Sequence, residues 1–544
     1  MSFLKKASLL TIPTAYKQGK LYSVKPDDGS GDFTFTRSTS ATRVNKAGLI
    51  EKERENLLLQ SNTFNTTWTT SQASLTGGQT GYDGSSNAWK LESTVTGSSF
   101  VRQLVDVSSS VSTLSIYAKS GNVDWCFINA VSVTAYYDLS NGIVGTTTGT
   151  NLIDTNIESV GNGWYRISIT GLGISQERIY PVTTNGNPDS AVGDNIYIQD
   201  AQLEAGLVPT DYIETTTSTV ATGITTDVPR IDYSSGTPSL LLEPQRTNLL
   251  LYSDYFDATE WNNPANTRDC IITKTNDINP AGEALAYSYE ATGSSNQIAY
   301  LNFSSTGTTI TNSIYVKRVT GTGNVILRDV NNNQFSFPLT ISDGWKRIDT
   351  TAVVNSSNAR FYLNLQTIGD KILIWGAQQE EGAYPTSYIP TDGTSVTRVN
   401  EQLSDYSITP TNSLTLYAKV SNISPSGGGG EFILKSSSGL LLFRVYVQSF
   451  NNIALITFRY ESTGETFYYN TNTSVDDDQK WAFQISGTTA KAFCNGQLVK
   501  TFTITQSLIE FLNIRVQGTR YNTKEVLLFP TALSDAECIT LTTI

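Results

Sequence analysis

The sequence predicts an all-β protein made of several antiparallel sandwiches in a row. Only 16% of the 544 residues are charged and there is one Met, while Thr, Ser, Asn, Gly, Tyr and Val are abundant, which favours short strands and polar turns over helices. The length is too great for one core, and about 150 residues per domain suggests three or four units. A sequence repeat supplies the third observation, because it divides most of the chain into matching modules.

Residues 1–55 come before the first module and are expected to form an anchoring segment. Residues 1–56 carry ten Lys or Arg against six acids, and the apolar residues here lie in no span long enough to form a core of their own. We therefore expect this segment to become ordered on another subunit or on a larger particle, helped by its positive charge. Two alternatives stay open: a solvated basic stretch, or a part of the first sandwich.

Two copies of one module follow, at 56–226 and at 227–396 with its leading connector. They share an opening motif, two strand motifs and a closing motif, in the same order. The pairs are Asn56-Leu57-Leu58-Leu59 with Asn248-Leu249-Leu250-Leu251, Ser115-Ile116-Tyr117 with Ser313-Ile314-Tyr315, Gly163-Trp164-Tyr165-Arg166 with Gly344-Trp345-Lys346-Arg347, and Ala201-Gln202-Leu203-Glu204 with Ala377-Gln378-Gln379-Glu380.

Within each copy, short β-branched and aromatic runs alternate apolar with polar residues and are separated by Gly, Asn and Asp turns. This pattern is typical of an antiparallel sandwich. The Thr- and Ser-rich stretches 214–226 and 390–396 indicate module boundaries.

A third unit is predicted over 397–544. It has several strand-like runs, and Asn495-Gly496 predicts a hairpin turn between two of them. Ser534 and Glu537 have the spacing of a capping box, which predicts a short C-terminal helix. A core continuous across 220–245 or 390–405 would contradict this three-unit division.

The composition excludes several classes of function. The sequence has no histidine, so no Ser-His-Asp, Cys-His or His-ligated metal site can form within the chain. A net charge of −12 and a pI near 4.7 argue against nucleic-acid binding, and no apolar run is long enough for membrane insertion. The four cysteines lack CxxC spacing and are expected to be free thiols, and no cofactor is expected.

A two-carboxylate glycosidase is the enzyme class that survives these exclusions. The sequence cannot place two carboxylates across a cleft, and Glu380 matches Glu204 of the other copy, so Glu380 reads as a structural residue. The chain also lacks the coil-by-coil repeat of a β-helix depolymerase. We therefore expect no enzyme activity.

The two copies resemble the carbohydrate-binding jelly-roll modules of bacteriophage virion proteins. The resemblance rests on Asn-Leu-Leu-Leu followed by Phe and Trp, on Gly-Trp-Tyr/Lys-Arg-Ile, and on Ala-Gln-x-Glu-x-Gly with Pro-Thr-x-Tyr-Ile, which together cover about 60% of the chain. The last unit is similar to concanavalin A-like, laminin-G-type jelly rolls, on Lys480-Trp481, Asn495-Gly496 and the segment Leu528–Glu537. The opening residues resemble phage attachment segments.

This resemblance implies a virion surface appendage made in the host cytoplasm, either a tail fibre or a capsid fibre. Such a protein would bind cell-surface or environmental polysaccharide, contact other virion proteins through residues 1–55, and form a homotrimer. The alternative is a purely structural decoration or joining protein of the particle without glycan binding.

Aromatic residues present at the same place in both copies are expected to be packing residues: Trp68 and Trp261, Trp164 and Trp345, Tyr212 and Tyr388. Residues present in one copy only are the better glycan candidates, since sugars stack on flat aromatic faces and bind polar side chains. These candidates are Trp89, Trp125, Tyr136 and Tyr137 in copy one, and Tyr287, Tyr289, Tyr300, Arg328 and Asn332 in copy two.

In the third unit, Tyr468 and Tyr469 are neighbours on one strand, so one of them should point outward as a glycan candidate. Trp481 is expected in the core. Asp476, Asp477 and Asp478 could bind Ca²⁺, which prefers clustered oxygen ligands, although an acidic triplet before a strand is more often a solvated turn.

Overall fold

The computed structural model describes residues 3–107, 110–261, 269–303, 306–355, 358–424, 430–505, 508–516 and 520–544. The prediction of an all-β chain built from three antiparallel sandwiches is confirmed. In the described ranges all paired strands run antiparallel, and the helical residues form four short segments: Phe3–Lys6, Thr259–Trp261, Ile341–Asp343 and Asp535–Thr542. None of the described helices has the length and apolar character needed to cross a membrane.

The first sandwich packs two six-stranded sheets face to face. One sheet, here called the back sheet, has the order Leu152–Gly161, Trp164–Leu172, Val111–Ser120, Asn195–Ala205, Ala88–Ser93 and Ala73–Gln79. The other, here called the front sheet, has the order Ile143–Thr148, Thr134–Asp138, Trp125–Val131, Ile174–Val182, Phe100–Arg102 and Thr69–Ser71. A small ribbon pairs Gly97–Ser98 with Asp189–Ser190. Alternate residues such as Ile116, Ile128 and Ile179 fill the core between the sheets.

The second sandwich repeats this topology. Its back sheet has the order Cys270–Ile278, Ala284–Ala291, Lys371–Glu381, Thr309–Thr320 and Lys346–Val353. Its front sheet has the order Ile298–Phe303, Asn358–Leu365, Val325–Arg328 and Gln334–Phe337.

The repeated motifs encode one buried hydrogen-bond network in both copies. The side-chain amide of Asn56 donates to the backbone carbonyls of Ala201 and Ile213, at 3.1 and 2.8 Å. Asn248 makes the corresponding bonds in copy two. These bonds fasten the opening motif to the last strand and to the segment that follows it, which explains why opening and closing motifs recur together.

The repeated glutamates have the structural role that the sequence indicated. Glu204 is buried and accepts hydrogen bonds from the backbone N–H and the hydroxyl of Thr210, at 2.8 and 2.5 Å. Glu380 accepts the same pair of bonds from Thr386. Because both carboxylates are enclosed and satisfied in this way, they hold the closing loop against the sandwich.

The third sandwich contains the C-terminal residues and several segments from elsewhere in the chain. One sheet has the order Tyr16–Lys17, Lys20–Leu21, Phe33–Thr36, Gln402–Thr411, Ile509–Val516, Gly430–Lys435, Leu441–Phe450, Ile453–Tyr460 and Glu465–Ser474. The other has the order Ile231–Asp232, Ser239–Leu242, Tyr521–Phe529, Ser413–Ser421, Gln479–Ser486, Thr489–Cys494 and Gln497–Thr503, with Leu9–Thr11 also paired to Tyr521–Phe529.

The local predictions for this unit are confirmed. Asn495 and Gly496 form the tight turn of a hairpin, both with positive φ, at 47° and 78°. Ser534 caps the helix Asp535–Thr542, and Glu537 closes the capping box. Trp481 is fully buried in the core.

The division into a linear string of units is corrected by this topology. Leu9, Phe33 and Phe35, expected in a separate anchoring segment, lie in the core of the C-terminal sandwich. Leu240 and Leu242, expected in the connector of the second sandwich, lie in the same core. Strand pairing across hundreds of residues supplies the burial that residues 1–55 could not provide alone.

Several of the N-terminal basic residues are also used within the chain. Lys6 pairs with Glu537, Arg43 with Glu51 at 2.8 Å, and Lys52 with Glu283 at 3.0 Å. The positive charge of this segment is therefore partly neutralised by intrachain contacts.

The first two sandwiches are insertions in the third. Each insertion begins and ends in a two-stranded stem: Arg54–Asn56 pairs with Val220–Thr222, and Arg246–Asn248 pairs with Val396–Arg398. The Ser- and Thr-rich stretches that suggested boundaries lie beside the second strand of each stem. The chain leaves the C-terminal sandwich and returns to it twice.

A buried cluster of charged residues joins these crossing points, and we call it the junction cluster: Arg37, Arg230, Glu243, Arg398 and Glu401. Their side chains are 0–1% exposed. Glu401 pairs with Arg37 at 2.8 Å and with Arg230, while Glu243 pairs with Arg230 at 2.8 Å and with Arg398 at 3.0 Å. Burial opposes ionisation of both glutamates, but the arginines more than offset it, so the pKa of each lies below its ordinary value.

Candidate functional site

The outer face of the first sandwich's front sheet carries a row of aromatic rings that crosses four neighbouring strands. Phe127 lies directly opposite Tyr136 on one side and Tyr180 on the other. The ring centroids are 4.2 Å apart for Phe127 and Tyr136, 5.0 Å for Phe127 and Tyr180, and 4.9 Å for Tyr180 and Phe100. We call these four residues the aromatic row.

The row faces away from the sandwich core because of the strand alternation. On the strand Trp125–Val131, Cys126 and Ile128 point into the core, whereas Trp125 and Phe127 point to the other face. Phe127, Tyr136 and Tyr180 are 3–6% exposed and form one apolar cluster with Val182, whereas Phe100 and Trp125, which pack against this cluster, are half-buried. These two side chains give the row an accessible apolar surface.

Trp125 lies beside the row and against the neighbouring backbone. A side chain at Gly145 would place its Cβ 2.6 Å from the Trp125 ring, so only glycine lets the indole approach this closely. The adjacent Asn185 accepts a hydrogen bond from the backbone N–H of Thr146 at 2.8 Å. The indole is thus held in place by its surroundings.

Polar side chains border the row on the side opposite Trp125. Asn129 lies opposite Thr134 on one neighbouring strand and opposite Arg178 on the other. Arg178 in turn lies opposite Arg102, and both guanidinium groups lie over the Phe100 ring, at 5.4 and 5.8 Å from its centroid. The face therefore combines flat apolar rings with a rim of hydrogen-bond donors and acceptors.

Two of the acids near this face, Asp138 and Glu177, have structural roles, whereas a third, the exposed Asp189, lies near Tyr136. Asp138 lies opposite Trp125, and its carboxylate accepts hydrogen bonds from Ser140 and Asn141 in the following turn. Glu177 is fully buried, and burial raises its pKa to about 7. The geometry fits binding of a ring-shaped polar ligand better than it fits acid–base chemistry.

The front sheet of the second sandwich presents a more polar version of the same face. Arg328 lies opposite Tyr362, and its guanidinium group donates to Asn332 at 3.0 Å and to Asn364 at 3.3 Å. Arg360 lies over the Tyr362 ring, 6.0 Å from its centroid. The structure therefore brings the candidates Arg328 and Asn332 together on the equivalent surface.

Of the copy-one candidates, Trp125 and Tyr136 lie on the outer face. Trp89 packs instead at the rim of the core, where its indole N–H donates to the carbonyl oxygen of Asn62 at 3.0 Å. Tyr137 points into the core, and its hydroxyl donates to the carbonyl of Ser168.

Four tyrosine candidates are corrected to packing residues. Tyr137, Tyr287, Tyr289 and Tyr300 are at most 4% exposed and lie inside the sandwich cores. These tyrosines occur in only one copy because the two related cores are packed differently. The residues expected to pack in both copies, Trp68, Trp261, Trp164 and Tyr388, are buried, while Trp345 and Tyr212 are half-buried.

In the third sandwich, the alternation prediction is confirmed: Tyr468 is 64% exposed and Tyr469 packs against the core. The three carboxylates of the acidic triplet are not gathered into one group in the structure. Asp478 pairs with Lys419 at 2.7 Å and Lys524 at 2.8 Å, and no group of three or more acidic or Cys side chains suited to a metal occurs in the described ranges. Asp476 and Asp477 are exposed in the turn.

Sequence reasoning missed Phe100, Arg102, Phe127, Arg178 and Tyr180. A signal for some of them exists, because Phe100 with Arg102 and Arg178 with Tyr180 are both aromatic and arginine pairs spaced by two, which places each pair on one strand face. All four cysteines are free thiols, as expected.

No protein-family model matches the sequence, and no curated protein matches it. Among solved structures, sheep galectin-11 with glycerol is 17% identical over 23% of this chain and 95% of that chain, with a TM-score of 0.18. The tandem CBM22 domains of Xyn10C from Paenibacillus barcinonensis are 11% identical over 60% of this chain and 97% of that chain, with a TM-score of 0.21.

The LG1–3 region of the laminin α2 chain is 9% identical over 81% of this chain and 98% of that chain, with a TM-score of 0.18. At such low identities and TM-scores, these likenesses carry no argument about ligand or activity.

Proposed function

We propose that the protein binds polysaccharide through the outer face of the front sheet of its first sandwich, without catalysing a reaction. The observation that carries this proposal is the aromatic row with its polar rim. Pyranose rings present C–H groups that stack on such faces and hydroxyl groups that need hydrogen-bond partners. Half-buried Trp125 and Phe100 supply the apolar contact, and Asn129, Thr134 and Arg178 supply the polar one.

The location that we propose is the surface of a phage particle, as a tail or capsid fibre in homotrimeric form. Support comes from the sequence motifs of the two inserted modules and from the attachment-like opening segment. Residues 1–55 would contact other virion proteins from the surface that they form on the C-terminal sandwich. Light scattering of the full chain tests the trimer, and imaging of labelled particles separates tail from capsid.

The glycan proposal is tested with the full chain on a polysaccharide array at high display density. Trp125→Ala removes the accessible indole and should weaken binding about tenfold, since aromatic stacking together with its buried area contributes about 1.4 kcal/mol. Tyr197→Ala is the matched control, because Tyr197 is a half-buried aromatic residue on the back sheet of the same sandwich.

Equal loss of binding in both variants would contradict the assignment of this face. Absence of binding by the unmodified chain to every glycan would favour a structural decoration or joining protein of the particle.

A further inference from the structure

Two arginines stand directly opposite each other on the candidate binding face. Arg102 and Arg178 are cross-strand partners, and both guanidinium groups lie within 6 Å of the centroid of the same Phe100 ring. Like charges placed opposite each other on a sheet destabilise it, so a bare pair of this kind has a cost in the free protein.

No carboxylate of the described chain forms an ion pair with either group. Their partners are neutral side chains: Arg102 donates to the hydroxyl of Thr69 at 3.5 Å, and Arg178 donates to the amide oxygen of Gln176 at 2.6 Å and contacts Tyr180. A carboxylate ligand between the two guanidinium groups would offset the repulsion.

This absence of neutralisation contrasts with the buried arginines of the protein, whose net charge is −12. Acids outnumber bases by 49 to 37, and the buried Arg37, Arg230, Arg318 and Arg398 each have a carboxylate partner. The positive charge of the two adjacent arginines on this face is therefore not neutralised within the chain and is available to an anionic ligand.

The equivalent face of the second sandwich has the same feature, built from other residues. Arg328 is the cross-strand partner of Tyr362, and Arg360 lies over the Tyr362 ring, 6.0 Å from its centroid. Neither arginine is ion-paired to a carboxylate in the described ranges.

Arg166 and Arg347 illustrate the opposite case. They occupy matching positions in the two copies, and each donates to the backbone carbonyl of the closing loop, at Thr210 and Thr386. Their role is structural, whereas the two arginine pairs on the front sheets have no such backbone contact.

We infer that the polysaccharide bound by these faces is acidic, with a uronate carboxylate held between the paired guanidinium groups. The guanidinium fork matches a carboxylate and can donate two parallel hydrogen bonds. The ring that carries the carboxylate stacks on the neighbouring aromatic side chain. This inference rests on the proposed glycan binding and specifies its ligand class.

The test compares uronate polymers with the same polymers after carboxyl reduction, using full-length protein and polygalacturonate, alginate and hyaluronate as probes. We expect binding to at least one acidic polymer and a loss of tenfold or more on its reduction, as for the loss of one charge-assisted hydrogen bond. Raising the salt from 0.05 to 0.5 M should also weaken binding, because the shorter Debye length screens the contact.

Substitutions of the arginines test whether their guanidinium groups cause the preference for the acidic polymer. Arg102→Gln with Arg178→Gln should lower affinity for the acidic polymer about tenfold more than affinity for its reduced form. Arg178→Lys, which keeps the charge without the fork, should fall in between. Lys119→Gln on the back sheet is the control for loss of one charge, and unchanged unfolding midpoints exclude a folding effect.

The outcomes separate the two proposals. Binding of neutral and acidic forms with equal affinity, or no response to the arginine variants, overturns the acidic ligand while glycan binding stands. Absence of binding to all polymers, acidic and neutral, overturns both.

Discussion

Replacing Glu401 by Gln should destabilise the C-terminal sandwich by about 3–5 kcal/mol, as expected when one partner of a buried ionic network is removed. The Glu401 carboxylate accepts hydrogen bonds from Arg37 at 2.8 Å, from Arg230 at 2.7 Å and from the backbone N–H of Glu243 at 3.0 Å. The substitution keeps the shape but leaves three buried arginines with a single buried glutamate. Uncompensated positive charge in a site without solvent is the source of the cost.

The loss should appear mainly where the chain segments meet. A three-sandwich protein does not unfold in one step, so hydrogen exchange measured by mass spectrometry is preferable to a single melting curve. Peptides covering Leu9–Thr11, Ser239–Leu242 and Tyr521–Phe529 should lose protection together, because these strands share one sheet. Peptides from the front sheet of the first sandwich should keep theirs.

Glu92→Gln is the matched control. Glu92 pairs with Lys90 at 2.7 Å, but both side chains are about a third exposed, so its loss should cost less than about 1 kcal/mol. A change below about 1 kcal/mol for Glu401→Gln, equal to that of the control, would refute the idea that the junction cluster holds the three segments together.

Three further outcomes are expected. Deleting residues 1–37 should make the C-terminal sandwich protease-sensitive, because burial of each deleted Leu or Phe contributes about 1.5–3 kcal/mol to the stability of this sandwich. An unchanged digestion pattern would contradict the shared core. Urea unfolding of the first sandwich should show stability falling from pH 5 to pH 8, because the pKa of buried Glu177 is about 7 and the folded state therefore holds a proton that the unfolded state has released. Glu177→Gln should reduce that slope by at most about 3 kcal/mol and leave the part due to Asp200, whose pKa burial raises to about 6. An unaltered slope would assign all of it to other groups. Gly496→Ala should cost about 1–2 kcal/mol, since φ at this turn is 78°, and a neutral effect on urea unfolding would show that the hairpin tolerates a different turn.

The sequence predicts the inserted sandwiches well because their information is local and duplicated. Each strand motif has a second version at a matching place, and the closing loop repeats its Glu and Thr partners. The capping box at Ser534 and the turn at Asn495-Gly496 are also local, with partners within a few residues. Such short-range motifs can be recognised in the sequence without knowing which distant strands pair.

The assembly of the C-terminal sandwich could not be predicted in the same way. Strands such as Leu9–Thr11 and Ser239–Leu242 have three and four residues, too few to show a periodicity. Their common partner, Tyr521–Phe529, lies hundreds of residues further along the chain. The N-terminal segment is too short to form a core of its own, so its apolar residues predicted binding to another molecule. In the structure they pack against the C-terminal strand of the same chain.

The sequence predicts only part of the candidate site, for a related reason. The run Trp125-Cys126-Phe127-Ile128 is apolar on both strand faces, so alternation alone cannot tell which residues face outward. Comparing the copies selected Trp125 and Tyr136, which lie on the outer face, but also selected core tyrosines, because two diverged cores differ in their aromatic packing.

The nested topology bears on how two binding faces would act together. A module at the end of a flexible linker samples many orientations, and the effective concentration of its second site falls with linker length. Here each inserted sandwich is attached by two chain crossings, closed by a stem and joined at the junction cluster. Two attachments restrict rotation more than one, so less conformational entropy is lost when both faces engage one polymer. If Glu401→Gln loosens the junction without touching either face, the affinity for a long polymer should fall while the affinity for a short oligosaccharide stays unchanged. Surface-immobilised polymer and soluble oligosaccharide give the two affinities, and an unchanged affinity for the polymer would show that the two faces bind independently.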